Sequence, residues 1–383
     1  MTSELFMGVW PFLSAVLAFL AIIVPLIVVH EFGHYWVAIK CGVHVETFSI
    51  GFGKPLFSYK DKRGTVWCLA PYMLGGYVRL FGDSDPSSAM SNPALRDMPP
   101  EQKAKAFFTK TVGQRAAIVA AGPGINFLFA IILLYGLFVT LGQPFTPAKV
   151  SELMPDMPAV RSGILVGDEI VSINENKVTS MEDLRKFMLL NLDKPVDVGV
   201  LREGQNIVIP VNPKIEIEGE DGMTKTSVGK LGIMGGTREF RPHTAFSAIG
   251  ASLGTTYEIA RGNLVGLWQI VTGERSRQEL SSVITIAKIS QKAVSDSLAG
   301  TIGFIATLSV VLGVINLFPI PALDGGHLMF YAIEAIRRRP LSEAAQEYSL
   351  RFGFGLILTL MAFALWNDLR NNGWFEKFTQ LFT

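Results

Sequence analysis

Residues 12–39 read FLSAVLAFLAIIVPLIVVHEFGHYWVAI, an almost unbroken apolar run that ends on two histidines and a glutamate. At 1.5 Å rise per residue, a helix of this length crosses a hydrocarbon layer of about 30 Å. Within it, His30-Glu31-Phe32-Gly33-His34 sets two imidazoles four residues apart. On a helix that spacing rotates them by only about 40°, so both point to one side and a single zinc ion can take both. Glu31 lies about a quarter-turn round, which puts its carboxylate beside such an ion rather than on it, where it can accept a proton from an activated water. Ionisable groups are costly at membrane depth, so this stretch predicts a spanning helix and a metal centre with its own general base.

Working outward, the composition agrees with a membrane protein. The chain has 383 residues, 49% of them apolar, and a mean hydropathy of +0.35. Further long apolar stretches cover 116–141, a segment from about 301 that passes Ile315 to meet Pro319 and Pro321, and 352–366. A fifth, 245–271, carries Glu258, Arg261 and Asn263 and reads as an interfacial helix. Lys plus Arg number 34 against 33 Asp plus Glu, a net charge of +1, which offers no global field for nucleic acid. Cys41 and Cys68 are too few for a disulfide framework and read as reduced. The first run lacks a basic leader and a small-residue cleavage site, and reads as a retained helix.

A catalytic zinc keeps three protein ligands and one open position, so a third ligand is needed. Asp324 is the candidate, in Asn316-Leu317-Phe318-Pro319-Ile320-Pro321-Ala322-Leu323-Asp324-Gly325-Gly326, where two prolines break the helix and two glycines allow close backbone approach. Broken backbone at membrane depth must line a cavity or be buried in protein. His327 is the rival ligand, and the plainer alternative is a re-entrant loop whose aspartate only bonds to backbone. Gly122-Pro123-Gly124-Ile125-Asn126 interrupts the second span with helix breakers and an amide. It reads either as a packing kink or as a place where Asn126 steadies a substrate carbonyl or oxyanion.

The loops give the orientation. Residues 40–115 are rich in Lys and Arg, and Arg337, Arg338 and Arg339 follow the third apolar segment, whereas 1–11 carry neither. The positive-inside rule makes both basic loops cytosolic and both termini extracytoplasmic. Residues 65–69 and 76–81 read as strands, and 147–213 as a separate domain of strands with a short helix at 181–190. The division predicted is 1–39, first transmembrane helix; 40–115, cytosolic, membrane-associated β region; 116–141, second helix; 145–215, α+β domain. Beyond these lie 216–298, a juxtamembrane segment with amphipathic helices; 299–336, third transmembrane helix; 337–351, cytosolic loop; 352–370, fourth helix; and 371–383, a tail.

These residues resemble the site-2 intramembrane metalloproteases, and among them the bacterial regulator-of-sigma-E protease group. The resemblance runs through the 30–34 motif, Gly75-Gly76-Tyr77-Val78-Arg79, Ala121-Gly122-Pro123 with Asn126, and the 316–326 stretch. It implies zinc on His30, His34 and Asp324, catalysis by Glu31, and substrate handling by Asn316 and Pro321. It also implies that 145–215 is a PDZ-like domain, through Ser162-Gly163-Ile164-Leu165-Val166-Gly167-Asp168-Glu169-Ile170, present once where the best-known members carry two. Relatives often carry Gly-Pro-Ile-Gly where this chain reads Ser282-Val283-Ile284-Thr285.

The implied protein is a polytopic α-helical enzyme of the bacterial inner membrane with about four transmembrane helices, a small membrane-associated β element and one extracytoplasmic PDZ-like α+β domain. It would cleave single-span membrane proteins such as anti-sigma factors, or leftover signal peptides. Gly75, Gly76 and Tyr77 would offer a strand edge to an unwound substrate. The rival from another class is a non-catalytic, zinc-containing membrane scaffold whose PDZ-like domain binds partners. A structural zinc, however, takes four protein ligands and no poised base. Metal transport is a third reading, though no chain of ionisable groups crosses the spans.

Overall fold

The computed structural model describes residues 2–83, 98–190, 194–218, 226–273 and 282–371. Among these, four helices are long and apolar enough to cross a membrane: Phe12–Lys40, Val112–Thr140, Leu298–Asn316 and Ala344–Arg370. The chain parts into two compact units, one of residues 1–135, 252–265 and 282–366, the other of 136–251, 266–281 and 367–383.

The first unit opens with α1 (Thr2–Lys40), and Gly42, at φ +70, supplies the left-handed residue that ends it. Four strands follow: β1 (Val45–Phe52), β2 (Phe57–Lys60), β3 (Val66–Leu69) and β4 (Tyr72–Leu80). They form one sheet in the order β2-β3-β1-β4, with β1 parallel to β3 and antiparallel to β4. The sequence had suggested only 65–69 and 76–81. Val45 and Phe48 pack with Tyr35 and Ala38 of α1 and Val78 and Leu80 of β4, so one apolar cluster moors the sheet to the end of α1 that carries the histidines. β4 lies at the edge of the sheet.

After α2 (Pro100–Lys103) comes α3 (Val112–Thr140), which contains Pro123. The helix runs on through Gly122-Pro123-Gly124. A proline costs a helix one backbone bond, and neighbouring helices can absorb that loss at membrane depth.

The second unit is built on β strands. In chain order it holds β5 (Gln143–Phe145), β6 (Val150–Leu153), α4 (Pro158–Arg161), β7 (Glu169–Ile173), β8 (Asn176–Lys177), α5 (Met181–Leu190), β9 (Val196–Arg202) and β10 (Gln205–Val211). There follow β11 (Lys214–Glu218), β12 (Thr226–Lys230), β13 (Ile233–Gly235) and β14 (Glu239–Arg241). The main sheet runs β10-β9-β7-β8, and Val196, Val198 and Val200 alternate inward from β9 to join Ile164, Ile170 and Ile173 in the core. Strand pairing carries the unit past 215, because β13 pairs with β6 and Leu231 joins the same core. The boundary at 215 is therefore too early.

The 245–271 reading corresponds to α6 (Ala245–Thr272), capped by the Thr244 side chain and ended by Gly273 at φ +81. It is followed by α7 (Val283–Asp296), α8 (Leu298–Asn316), α9 (Asp324–Arg337) and α10 (Glu343–Asn371). The expected third helix, 299–336, is thus two helices joined by 317–323. The expected loop 337–351 is largely helical, since α10 begins at Glu343. Ser282, in the stretch that departs from relatives, caps α7 by accepting from the backbone of Ile284; residues 274–281, like most of the 371–383 tail, lie outside the described residues.

Candidate metal centre

Three elements of the first unit converge on one point. From α1 come His30 and His34, their ring centroids 4.9 Å apart and nearly perpendicular. From the first position of α9 comes Asp324. His30 Nε2 and His34 Nε2 lie 3.3 Å apart, and Asp324 Oδ2 lies 3.2 Å and 3.6 Å from them. A tetrahedral ion with ligands at about 2.0–2.2 Å sets those ligands about 3.3–3.6 Å from one another. The triangle therefore has the right size for zinc, and the three residues form a group that could hold a metal ion. Asp324 Oδ2 is buried and makes no well-directed hydrogen bond despite its two close nitrogens, as a ligand oxygen kept for a cation would be.

The backbone around Asp324 is tight. Ala322 has φ +85, a conformation that costs free energy for a residue with a Cβ. Any Cβ at Gly325 would strike the carbonyls of Leu317 and Phe318, and one at Gly326 that of Ile320. The loop 317–323 folds directly onto the start of α9 and fixes where Asp324 points.

Helix α3 forms the other wall. His34 Nδ1 donates to the carbonyl of Ile118 at 3.0 Å, which leaves Nε2 with its lone pair free. Asn126, fully buried, places its amide 3.1 Å from His30 Nδ1. A Cβ at Gly122 would collide with the rings of both His34 and His30, so this glycine makes the room in which the two imidazoles sit. At Gly33 a Cβ would meet the carbonyl of Ala121, and the two helices touch backbone to backbone there.

A cavity of about 280 Å³ opens on this centre, lined by His30, Glu31, His34, Gly76, Tyr77, Val78, Leu80, Ile118, Val119, Asn316, Ala322, Leu323, Asp324 and His327. Edge strand β4 reaches Glu31 at Gly76, where a Cβ would lie 3.0 Å from Glu31 Cγ. Of the residues singled out from sequence, the cavity thus gathers His30, Glu31, His34, Asp324, Asn316, Gly76 and Tyr77. It leaves out three. Gly75 packs under the Phe52 ring, Pro321 has its carbonyl against Gly353 of α10, and Asn126 is buried behind His30 rather than open to a substrate. His327 lines the wall without joining the ligand triangle. Sequence reading took Gly122 as part of a packing kink, and its part in making room for the imidazoles shows only once α3 is set against α1.

Comparison with known proteins gives a consistent result. A family model described as peptidase family M50 matches residues 18–360. A protein of Rhizobium meliloti (strain 1021) named as a zinc metalloprotease is 38% identical over 358 residues, covering 92% of this chain and 95% of that one. The metalloprotease MmpA of Caulobacter vibrioides is 35% identical over 397 residues, covering 97% of this chain and 99% of the relative. A third relative, from Agrobacterium fabrum and also named as a zinc metalloprotease, is 36% identical over 92% of this chain and 95% of its own.

Proposed function

The chain belongs to peptidase family M50, the site-2 protease family, as a multi-pass zinc metalloprotease, and from that premise we propose that it hydrolyses peptide bonds inside the transmembrane segments of membrane-anchored proteins. One observation carries the reading: a single cavity holds a zinc-sized ligand triangle, an adjacent carboxylate and the edge of a β-sheet.

The proposed roles follow from position. His30, His34 and Asp324 hold zinc, which when bound supplies Lewis acidity to the scissile carbonyl and to the attacking water. Glu31 takes a proton from that water and returns it to the leaving amine. A helix in lipid hides its carbonyls in its own hydrogen bonds, so the substrate must be unwound before attack. The edge of β4 at Gly76 and Tyr77 can receive the unwound segment as an added strand and replace the lost bonds. Gly75 sets the bend of that edge against Phe52, Asn316 faces the substrate from the end of α8, and Pro321 shapes the loop behind Asp324.

We propose membrane crossings at α1, α3, α8 with the loop and α9 that follow, and α10, in the bacterial inner membrane. The basic 40–115 and 337–339 segments would be cytosolic and the second unit extracytoplasmic. That unit is proposed to be a PDZ-like domain that sorts substrates, a reading supported by its sheet, the two helices α4 and α5 and the Gly163 and Gly167 turns. The substrates proposed are single-span proteins such as anti-sigma factors, in regulated intramembrane proteolysis, or remnant signal peptides.

The test is cleavage of a model single-span substrate by the purified protein in detergent, with and without chelator. Glu31→Gln should slow turnover by about 10²–10⁴-fold while leaving zinc content unchanged. Full cleavage by that variant would overturn the assignment of the base.

A further inference from the structure

We infer that Asn126 is a positioning residue for His30: turned with its oxygen toward the ring, it accepts from Nδ1–H and so supports the tautomer that leaves Nε2 for the metal. The inference rests on the zinc site proposed above.

The two histidines are held differently on the side away from Asp324. Behind His34 stands the Ile118 carbonyl, which can only accept, so His34 is locked with its proton on Nδ1. Behind His30 stands an amide, which can accept or donate. With its nitrogen toward His30, 3.1 Å from Nδ1, Asn126 donates, and the ring proton moves to Nε2, the atom 3.2 Å from Asp324 Oδ2. Turned over, the same side chain presents Oδ1, accepts from Nδ1–H and leaves the Nε2 lone pair for a cation. Amide oxygen and nitrogen have nearly the same shape, so both orientations fit one pocket.

Among the described residues, no other side chain holds the amide in either orientation. Oδ1 is buried with no hydrogen-bond partner, so nothing opposes a turn of the amide that brings this oxygen to His30 Nδ1–H. The residue's backbone, in contrast, is pinned: the buried Ser309 hydroxyl of α8 donates to the Asn126 carbonyl at 2.8 Å. Since α8 leads into the loop that presents Asp324, this one residue ties the support of the first ligand to the element that carries the third. Full burial and absence from the cavity lining remove the competing role of Asn126 as a substrate contact. An unpaired amide that merely filled space at membrane depth would be costly and is better replaced by an apolar side chain.

The two accounts predict opposite orders for substitution. If Asn126 only packs, shape-matched Asn126→Leu should be tolerated and Asn126→Asp should be worse. If it positions His30, Asp should serve, since a carboxylate accepts from Nδ1–H, and Leu should not. The full-length protein in detergent would be titrated with a zinc chelator and its residual zinc measured. The same variants would be loaded with Co²⁺ and their visible d–d absorption recorded.

Asn126→Leu is expected to lower the chelator concentration at half-loss by about 10–100-fold and to change the cobalt spectrum, with Asn126→Asp close to the parent. Retention by Asn126→Leu equal to the parent, or loss by Asn126→Asp as great as by Asn126→Leu, overturns the inference. Should the Leu variant not accumulate, the Asp variant decides alone, and loss of its zinc beyond about tenfold counts against positioning. His30→Ala separates the two layers of argument. Zinc kept in full by that variant sinks the ligand assignment itself, whereas zinc lost there and kept by Asn126→Leu sinks only the role of Asn126.

Discussion

Each unit of this protein buries a carboxylate against basic nitrogen, and the two are finished in opposite ways. In the second unit Asp168 is 2% exposed and both oxygens have donors: Arg202 Nε meets Oδ1 at 2.8 Å, while Arg202 Nη2 and the Leu165 amide meet Oδ2 at 2.7 Å and 2.9 Å. In the first unit Asp324 is half-buried with its Oδ2 enclosed beside two imidazoles, yet that oxygen makes no well-directed bond. A carboxylate with donors on both oxygens is a clamp, because its acceptors have been used to close a turn on a strand. One left with capacity at the meeting point of two imidazoles is suited to be a ligand, the role proposed for Asp324. The difference lies in the partners: a guanidinium fork is always protonated, whereas an imidazole can give up its proton to let a metal in.

The sharpest way to break this contrast is to neutralise both residues in parallel. Asp324→Asn should abolish zinc retention and substrate cleavage together while leaving the circular dichroism of the chain unchanged. Asp168→Asn should leave zinc and cleavage of a short substrate intact. Zinc retained by Asp324→Asn would end the distinction, since the unspent oxygen would then be an accident of packing.

A smaller effect is expected from the glycines, which the two units also use differently. At Gly122 the constraint is space, so Gly122→Ala pushes a methyl group into both imidazoles and should weaken zinc binding without altering the second unit. At Gly163 there is open space and the constraint is φ +86, so Gly163→Ala should cost about 1 kcal/mol of backbone strain and leave zinc alone. Chelator titration checks the first, and hydrogen exchange at the β7 and β9 amides checks the second. Equal zinc affinity in Gly122→Ala and the parent would show that the α1–α3 contact is looser than the geometry requires.

The same division runs through what the sequence made legible. His30, Glu31 and His34 stand within one turn of a helix, and helical periodicity alone brings them together. Asp324 was reachable because prolines and glycines in an apolar run signal backbone that must line something. The contribution of α3 was not reachable, since Gly122 and Asn126 acquire meaning only when tertiary packing sets α3 against α1. Strand β1 escaped because its burial is mixed rather than alternating and Gly51 and Gly53 look like turn residues. The early start of α10 escaped for a different reason: residues 343–351 are polar, so hydropathy is silent there, although Ala, Glu, Gln and Arg are good helix formers. The β unit was cut short at 215 because β13 has too few residues to show a period.

Replacing the clamp itself should cost less than losing the metal. Asp168→Asn removes charge-assisted bonds from Arg202 and keeps at most part of the turn, a loss of about 1–3 kcal/mol in the second unit. Retained exchange protection of β7 and β9 in this variant would mean that the Ile164 to Val200 core holds the unit without the clamp.

The smallest expected effect separates the clamp from ordinary burial through pH. The Arg202 hydrogen bonds hold the Asp168 carboxyl below its usual value, with the Leu165 amide adding to them. A carboxyl depressed in the folded state takes up its proton more readily when unfolded, so its stabilisation is complete above the unfolded value of about 3.9 and drains away as pH falls through the folded one. The stability difference between the parent and Asp168→Asn should therefore be flat from neutral pH down to that value and shrink below it, as read from exchange at the β9 amides in the intact chain. A difference that already shrinks between pH 7 and pH 5 would point to a titrating group other than Asp168, and this carboxylate would lose its standing as the clamp.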